Sequence, residues 1–238
     1  MLALLAALCI GISKAGFGGV SMISVFLLAD VYGAKASVGL ALPLLIVADL
    51  TVYPLFRKFG GWRPVWSLLP PALCGILAAW WLLGRIDDAM ARPAIGLVIL
   101  AMVLLQGMKR VHPEWFERLT ASRAFGAGAG VAGGFATMLA NAAGPVIQLF
   151  LVSRHFGKMD LVGVGARFFL LVNLVKVPLS AGLDLITPAS LFEDLKLMPA
   201  VWLGILGGKL VLKRVPQLLF ERLIIVFAVV AGVRLVFF

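Results

Sequence analysis

Eight long apolar segments dominate the chain, and they span 1–29, 36–56, 64–84, 89–107, 124–152, 160–182, 195–212 and 216–237. Most of them are close to the ~20 residues that a helix needs to cross a hydrocarbon core of about 30 Å. The most polar stretch, KRVHPEWFERLTASR at 109–123, separates the fourth segment from the fifth. This pattern predicts an all-α integral membrane protein that has the lipid bilayer as its solvent.

Composition supports the same fold class. Hydrophobic residues make up 62% of the chain and charged residues only 13%, which is too few charges for the surface of a soluble domain of this size. The net charge of +10 would suggest nucleic acid in a soluble protein. In a membrane protein, basic loops mark the cytoplasmic face instead, so we expect no nucleic-acid partner.

The two halves of the chain are related by an internal repeat. A shift of 124 residues aligns several glycine, proline and polar positions, namely Gly33 with Gly157, Asp49 with Asn173, and Pro54 with Pro178. Such pairs are hard to obtain by chance, even in a chain rich in Leu and Val. We therefore divide the chain into an N-terminal membrane repeat (1–108), a cytoplasmic linker (109–123) and a C-terminal membrane repeat (124–238).

The segment that opens each repeat is interrupted near its centre. Residues 1–29 would form a straight helix of about 43 Å, longer than the hydrocarbon core. SKAGFGG (13–19) interrupts this segment, and MLANAAGP (138–145) interrupts its counterpart. Each segment is therefore either one tilted helix or a re-entrant hairpin of two half-helices that turns back near the membrane midplane.

The distribution of basic residues favours the hairpins. If all eight segments cross, the Lys and Arg residues of the loops divide almost evenly between the two faces. With two re-entrant hairpins, one face holds twelve of them: Arg57, Lys58, Arg63, Lys109, Arg110, Arg118, Arg123, Arg154, Lys158, Lys213, Arg214 and Arg222. The other face holds five: Lys35, Arg85, Arg92, Lys196 and Arg234. Only this arrangement obeys the positive-inside rule.

The predicted architecture is therefore two inverted repeats, each a broken helical hairpin followed by three transmembrane helices. Both termini then lie outside the cytoplasm. Inverted repeats with broken helices are typical of secondary transporters, whose substrate sites lie near the bilayer midplane.

The hairpin tips are the expected substrate site. The second half-helix of each hairpin begins at the tip, so its free N–H groups and positive dipole end favour an anion there. Gly18 and Gly19 would let the backbone approach a ligand. Gly144 and Pro145 would open the second half-helix, with Asn141 either as its cap or as a donor to the ligand. Close helix packing is the alternative role for these glycines.

Polar residues inside the apolar segments are the other candidates. Lys14 could bind substrate, pair with Asp49 or extend to the interface, while Asp49 and Asn173 could serve the site or form structural hydrogen bonds. Arg167 and Lys176 could bind an anion or pair with a carboxylate. The predicted substrate-binding residues are Ser13, Lys14, Phe17, Gly18, Gly19, Asp49, Asn141, Ala143, Gly144, Arg167, Asn173 and Lys176.

Neither a catalytic arrangement nor a metal motif is evident in the sequence. There is no nucleophile with a neighbouring base, no phosphate-binding loop and no HExxH helix. Cys9 and Cys74 lie in apolar stretches and are expected to be small buried residues rather than a disulfide or metal pair. We therefore expect neither an enzyme nor a bound cofactor.

Two stretches resemble a known family. GISKAGFGG (11–19) is similar to the Gly-rich start of the sulfite exporter TauE/SafE family, and AGVAGGFATMLANAAGPVIQLFL with the FGK turn that follows is similar to its second motif. The resemblance covers essentially the whole chain. It implies a homodimeric permease of the bacterial inner membrane that exports sulfite, thiosulfate or organosulfonates. The alternatives are a cation- or proton-coupled permease for another small solute, and a membrane scaffold that transports nothing.

Overall fold

The computed structural model describes residues 1–15, 18–112, 114, 120, 122–154, 156–214 and 217–237. Within these ranges the chain is helical and contains no strand, which confirms the all-α fold class. The α-helices are α1 (Leu2–Lys14), α2 (Ser21–Tyr32), α3 (Ala34–Phe56), α4 (Arg63–Leu83), α5 (Asp88–Val111), α6 (Arg123–Ala140), α7 (Gly144–Ser153), α8 (Lys158–Ala181), α9 (Pro188–Arg214) and α10 (Gln217–Phe237). Residues 113, 115–119 and 121 of the predicted linker 109–123 lie outside the described residues.

Among the residues that the structure describes, four helical stretches are long and apolar enough to cross a membrane: Ala34–Phe56, Arg63–Leu83, Asp88–Met108 and Met159–Ala181. Large apolar side chains on several helices point away from the protein, as Trp66, Leu104 and Leu203 do, each about 60% exposed. A soluble protein rarely exposes so much apolar surface. The prediction of an integral membrane protein is therefore confirmed by both length and surface.

Both opening segments are broken where their sequences predict an interruption. In the first, α1 ends at Lys14, and a short 3-10 turn (Gly18–Val20) leads into α2. In the second, α6 ends at Ala140, Asn141 adopts a left-handed conformation with φ of +50°, and α7 begins at Gly144. The 13 residues of α1 extend about 20 Å, which is too short to cross a hydrocarbon core of about 30 Å.

Two helix pairs form the most extensive contacts in the fold. α1 packs along α9, and α6 packs along α4, while α3 contacts α8 and α5 contacts α10. Under the sequence repeat, α1 corresponds to α6 and α4 corresponds to α9. The two largest contacts are therefore equivalent under the sequence repeat. Each one joins the first helix of one half to the corresponding helix, α4 or α9, of the other half.

Glycines let the backbones of these pairs approach closely. A Cβ atom at Gly75 of α4 would overlap the carbonyl oxygen of Val131 in α6, and one at Gly204 of α9 would overlap the carbonyl oxygen of Leu8 in α1. Gly75 and Gly204 are equivalent in the alignment that pairs PPALCGIL (70–77) with PAVWLGIL (199–206). Small residues at such crossings allow close packing in lipid, where no hydrophobic force pulls helices together.

We expect Gly204→Ala to lower the free energy of unfolding by about 1–3 kcal/mol, because the added methyl group must displace helix backbone. Gly207→Ala is the matched control on the same helix, since a Cβ there meets nothing within 4 Å. Thermal unfolding in detergent would compare the two variants. Equal melting temperatures would contradict the role that we assign to the α1–α9 crossing.

Candidate functional site

A small cavity lies where the broken ends of both opening segments meet the middle of α3 and α8. Its volume is about 50 Å³, which is room for a few water molecules. The lining residues come from six helices or their ends, and they are Ser13, Lys14, Ser21, Leu45, Thr137, Asn141, Gly144, Phe169 and Asn173. We call this space the central cavity.

One wall of the central cavity is an ion pair joined to an amide. Lys14 Nζ lies 2.7 Å from Asp49 Oδ1 and forms an ion pair with it. Asn173 Nδ2 donates to Asp49 Oδ2 at 2.8 Å. The ammonium group also lies 4.6 Å from the centre of the Phe169 ring, where a cation is attracted to the aromatic face. These contacts connect α1, α3 and α8.

A second cation, Lys176, contacts residues that line the central cavity. Lys176 is fully buried, and its Nζ donates to Asn141 Oδ1 at 2.6 Å and to the Thr137 carbonyl oxygen at 2.7 Å. Asn141 Nδ2 in turn donates to the Val38 carbonyl oxygen at 3.0 Å. Lys176 therefore connects α8 to the end of α6, and Asn141 connects that end to α3. Within the described part of the chain, every acceptor of the Lys176 ammonium is a neutral oxygen.

The cluster carries more positive than negative charge. Lys14 and Lys176 contribute two cations, and Asp49 is the single carboxylate that the described residues place among them. An uncompensated buried charge is costly. Among the described residues, the side chains of this cluster include two basic groups and one acidic group.

Two helix N-termini border the same cavity. Ser21 is the first residue of α2 and Gly144 the first of α7, and both line the cavity. The residues before them, Val20 and Ala143, provide no side-chain cap. The N-terminal end of a helix carries the positive end of its dipole, which favours an anion, although α2 continues directly from the 3-10 turn Gly18–Val20.

The structure brings most of the predicted site residues together. Ser13, Lys14, Asn141, Gly144 and Asn173 line the central cavity, and Asp49 and Lys176 bond to residues that line it. Ala143 is buried beside it at the start of α7. Gly18 and Gly19 form the 3-10 turn, where Gly19 faces Ile224 of α10. Phe17 lies outside the described residues.

Two of the predicted residues have roles other than the expected ones. Asn141 is not the cap of α7, because that position belongs to Ala143; instead it terminates α6. Arg167 does not line the central cavity. Its guanidinium donates to the carbonyl oxygens of Phe59, Gly163 and Arg57, and it therefore holds the loop at the end of α3.

Sequence reasoning missed Thr137, Leu45 and Phe169, and one signal could have found all three. Each lies four residues before a predicted polar residue, Asn141, Asp49 and Asn173 respectively. Positions four residues apart share one face of a helix. Ser21, the other lining residue that was missed, is simply the residue with which α2 begins.

A larger cavity of about 570 Å³ lies elsewhere and has a different character. Asp88, Asp184 and Glu193 line it, and Lys35 is the one cation among the described residues of its wall. Lys35 already has hydrogen-bond partners. Its backbone N–H donates to Asp88 Oδ1 and its side-chain Nζ donates to the Ile86 carbonyl oxygen, both at 2.8 Å. The charge of this larger cavity disfavours an anion, so the small central cavity is the better candidate.

The structure predicts different effects for two replacements of Asn141. Both Asn141→Ala and Asn141→Gly remove the side-chain acceptor of Lys176. Only alanine also strains the left-handed backbone, which costs about 1–2 kcal/mol. We expect both variants to unfold at lower temperature than the wild type in detergent, with alanine the lower of the two. Equal melting temperatures would contradict the importance of this backbone conformation.

Comparison with known proteins identifies the family of the chain. The family described as "Sulfite exporter TauE/SafE" matches residues 3–235, which is nearly the whole chain. No curated protein and no solved structure matches the chain. Family membership implies a membrane permease that exports sulfite or related sulfur anions, and this chain belongs to the sulfite exporter TauE/SafE family.

Proposed function

We propose that this protein is a secondary transporter that exports small sulfur-containing anions, such as sulfite, thiosulfate or organosulfonates, through the central cavity. The observation that carries the proposal is the charge of the cluster around that cavity. Half-buried Lys14 and fully buried Lys176 outnumber the one carboxylate of the cluster, Asp49, and two helix N-termini border the same space. Each of these features favours an anion inside a membrane protein.

The proposed architecture is two inverted repeats, each a re-entrant hairpin followed by three crossings. Three structural features support it: the short α1, the equivalent contacts α1–α9 and α4–α6, and the hydrogen bond between Asn173 and Asp49. The last is informative because these two residues are equivalent under the 124-residue shift. Equivalent positions of two repeats meet directly where a two-fold axis relates the repeats.

The proposed location is the bacterial inner membrane, with the basic loops in the cytoplasm and both termini outside. Exposed apolar surface on α4 and α9 is available to lipid or to a second subunit. A homodimer, which the family resemblance implied, is part of the same proposal.

We propose that transport follows alternating access about the central cavity. The hairpins α1–α2 and α6–α7 contribute Lys14, Ser21, Asn141 and Gly144 to it, so a movement of either hairpin would change which side the cavity faces. Export of a singly charged anion down a potential of about 150 mV releases about 3.5 kcal/mol, on the order of a 300-fold concentration ratio. The membrane potential alone could therefore drive efflux.

Flux of labelled sulfite, thiosulfate and methanesulfonate from proteoliposomes with a set membrane potential would test this proposal. We expect efflux that increases as the inside becomes more negative. Lys14→Gln and Lys176→Met should each lower the flux at least tenfold, because either change removes the excess positive charge. Lys196→Gln is the matched control, since Lys196 is exposed and pairs with Glu193 on the surface.

Two results would contradict the proposal. Wild-type protein that carries none of these anions would exclude the assigned substrates. Stabilisation by Na⁺ or a divalent cation that disappears in Asp49→Asn would favour the cation-coupled alternative instead.

A further inference from the structure

We infer that the central cavity selects singly charged anions over doubly charged ones, and that Asp49 is the residue that sets this preference. The inference rests on the proposed function and narrows its substrates. It follows from the charge balance of the cluster. With Asp49 paired to Lys14, the described residues leave one positive charge, that of Lys176, for a ligand to neutralise.

The contacts of Asp49 keep its negative charge inside the cluster. Its side chain is fully buried, and its two oxygens face different donors, the Lys14 ammonium on one side and the Asn173 amide on the other. Asn173 donates its side-chain N–H to Asp49 Oδ2, and this is the interaction that an ionised carboxylate requires. Asp49 therefore neutralises Lys14 before any ligand arrives.

Lys176 is the cation that remains. Its ammonium contacts three oxygens, the carbonyl and hydroxyl of Thr137 and the amide of Asn141, and none of them is charged. Thr137 and Asn141 also line the central cavity. A ligand in the cavity is thus separated from this charge only by the groups that hold the lysine.

The size and burial of the site make the second charge of a dianion costly. A cavity of about 50 Å³ leaves little room for the water that would hydrate a divalent anion. A charge without a partner in a low-dielectric interior is strongly disfavoured. A monoanion, in contrast, brings the cluster to zero net charge.

This inference divides the proposed substrates into two groups. Simple alkylsulfonates such as methanesulfonate carry a single charge, and sulfite can bind as its singly protonated form, hydrogensulfite. Thiosulfate and the fully ionised form of sulfite are dianions. We therefore expect simple alkylsulfonates and hydrogensulfite to be transported and thiosulfate to be a poor substrate.

Methanesulfonate and sulfate are a suitable pair of probes, because they differ by a methyl group in place of a charged oxygen. Binding of each to the purified full chain would be measured by competition at constant ionic strength. We expect the wild type to prefer methanesulfonate at least tenfold. Asp49→Asn raises the charge of the cluster by one, and it should shift the ratio of the two affinities at least tenfold toward sulfate.

A second variant controls for the loss of the ion pair. Lys14→Gln combined with Asp49→Asn removes both charges together, so the cluster keeps the net charge of the wild type. We expect this double variant to recover the preference for methanesulfonate. Lys14→Gln alone brings the net charge to zero and should weaken binding of both anions.

The outcomes separate this inference from the proposed function. A wild type that binds both anions equally, or prefers sulfate, would overturn the inference and leave the anion transporter standing. The inference also fails if the ratio of affinities does not change in Asp49→Asn or does not return in the double variant. Binding of neither anion, together with the absence of flux for any sulfur anion, would instead remove the proposed function itself.

Discussion

A buried charge inside a membrane must have a partner. The partners of Asp49 satisfy this requirement and at the same time connect three helices. Lys14 brings the end of α1 to the middle of α3, and Asn173 brings α8 to the same carboxylate. Since α1 is too short to cross the bilayer, it cannot be held in place by hydrophobic length alone. The ion pair fixes where α1 ends, and with it the position of the turn that leads into α2.

Close backbone contact also constrains the position of α1. Gly204 admits α1 against α9, and Gly75 admits α6 against α4. These crossings fix each broken segment against a helix of the other half, so the ends of α1 and α6 converge on one cavity. Packing at the glycines and pairing at Asp49 therefore act together, because the first positions the helices and the second specifies which polar groups meet.

The sequence was sufficient to predict the helices but not the directions in which their side chains point. Apolar length and charge placement predicted the helices, the two breaks and most of the residues that meet at the cavity. The destination of Arg167 could not be predicted, because it depends on the carbonyl groups of a loop more than a hundred residues earlier. Lipid and protein interior are equally apolar, so hydrophobic periodicity does not reveal which face of a membrane helix meets another helix.

The two halves contribute unequal charges to a site built on equivalent positions. Where the first half has Asp49, the second has Asn173, and where the second has Lys176, the first has Val52. Aspartate at both of the former positions would place a second carboxylate against Asp49 and cancel the excess positive charge of the cluster. The difference within these pairs therefore leaves the cluster with two basic groups and one acidic group, the balance on which the proposed anion transport depends.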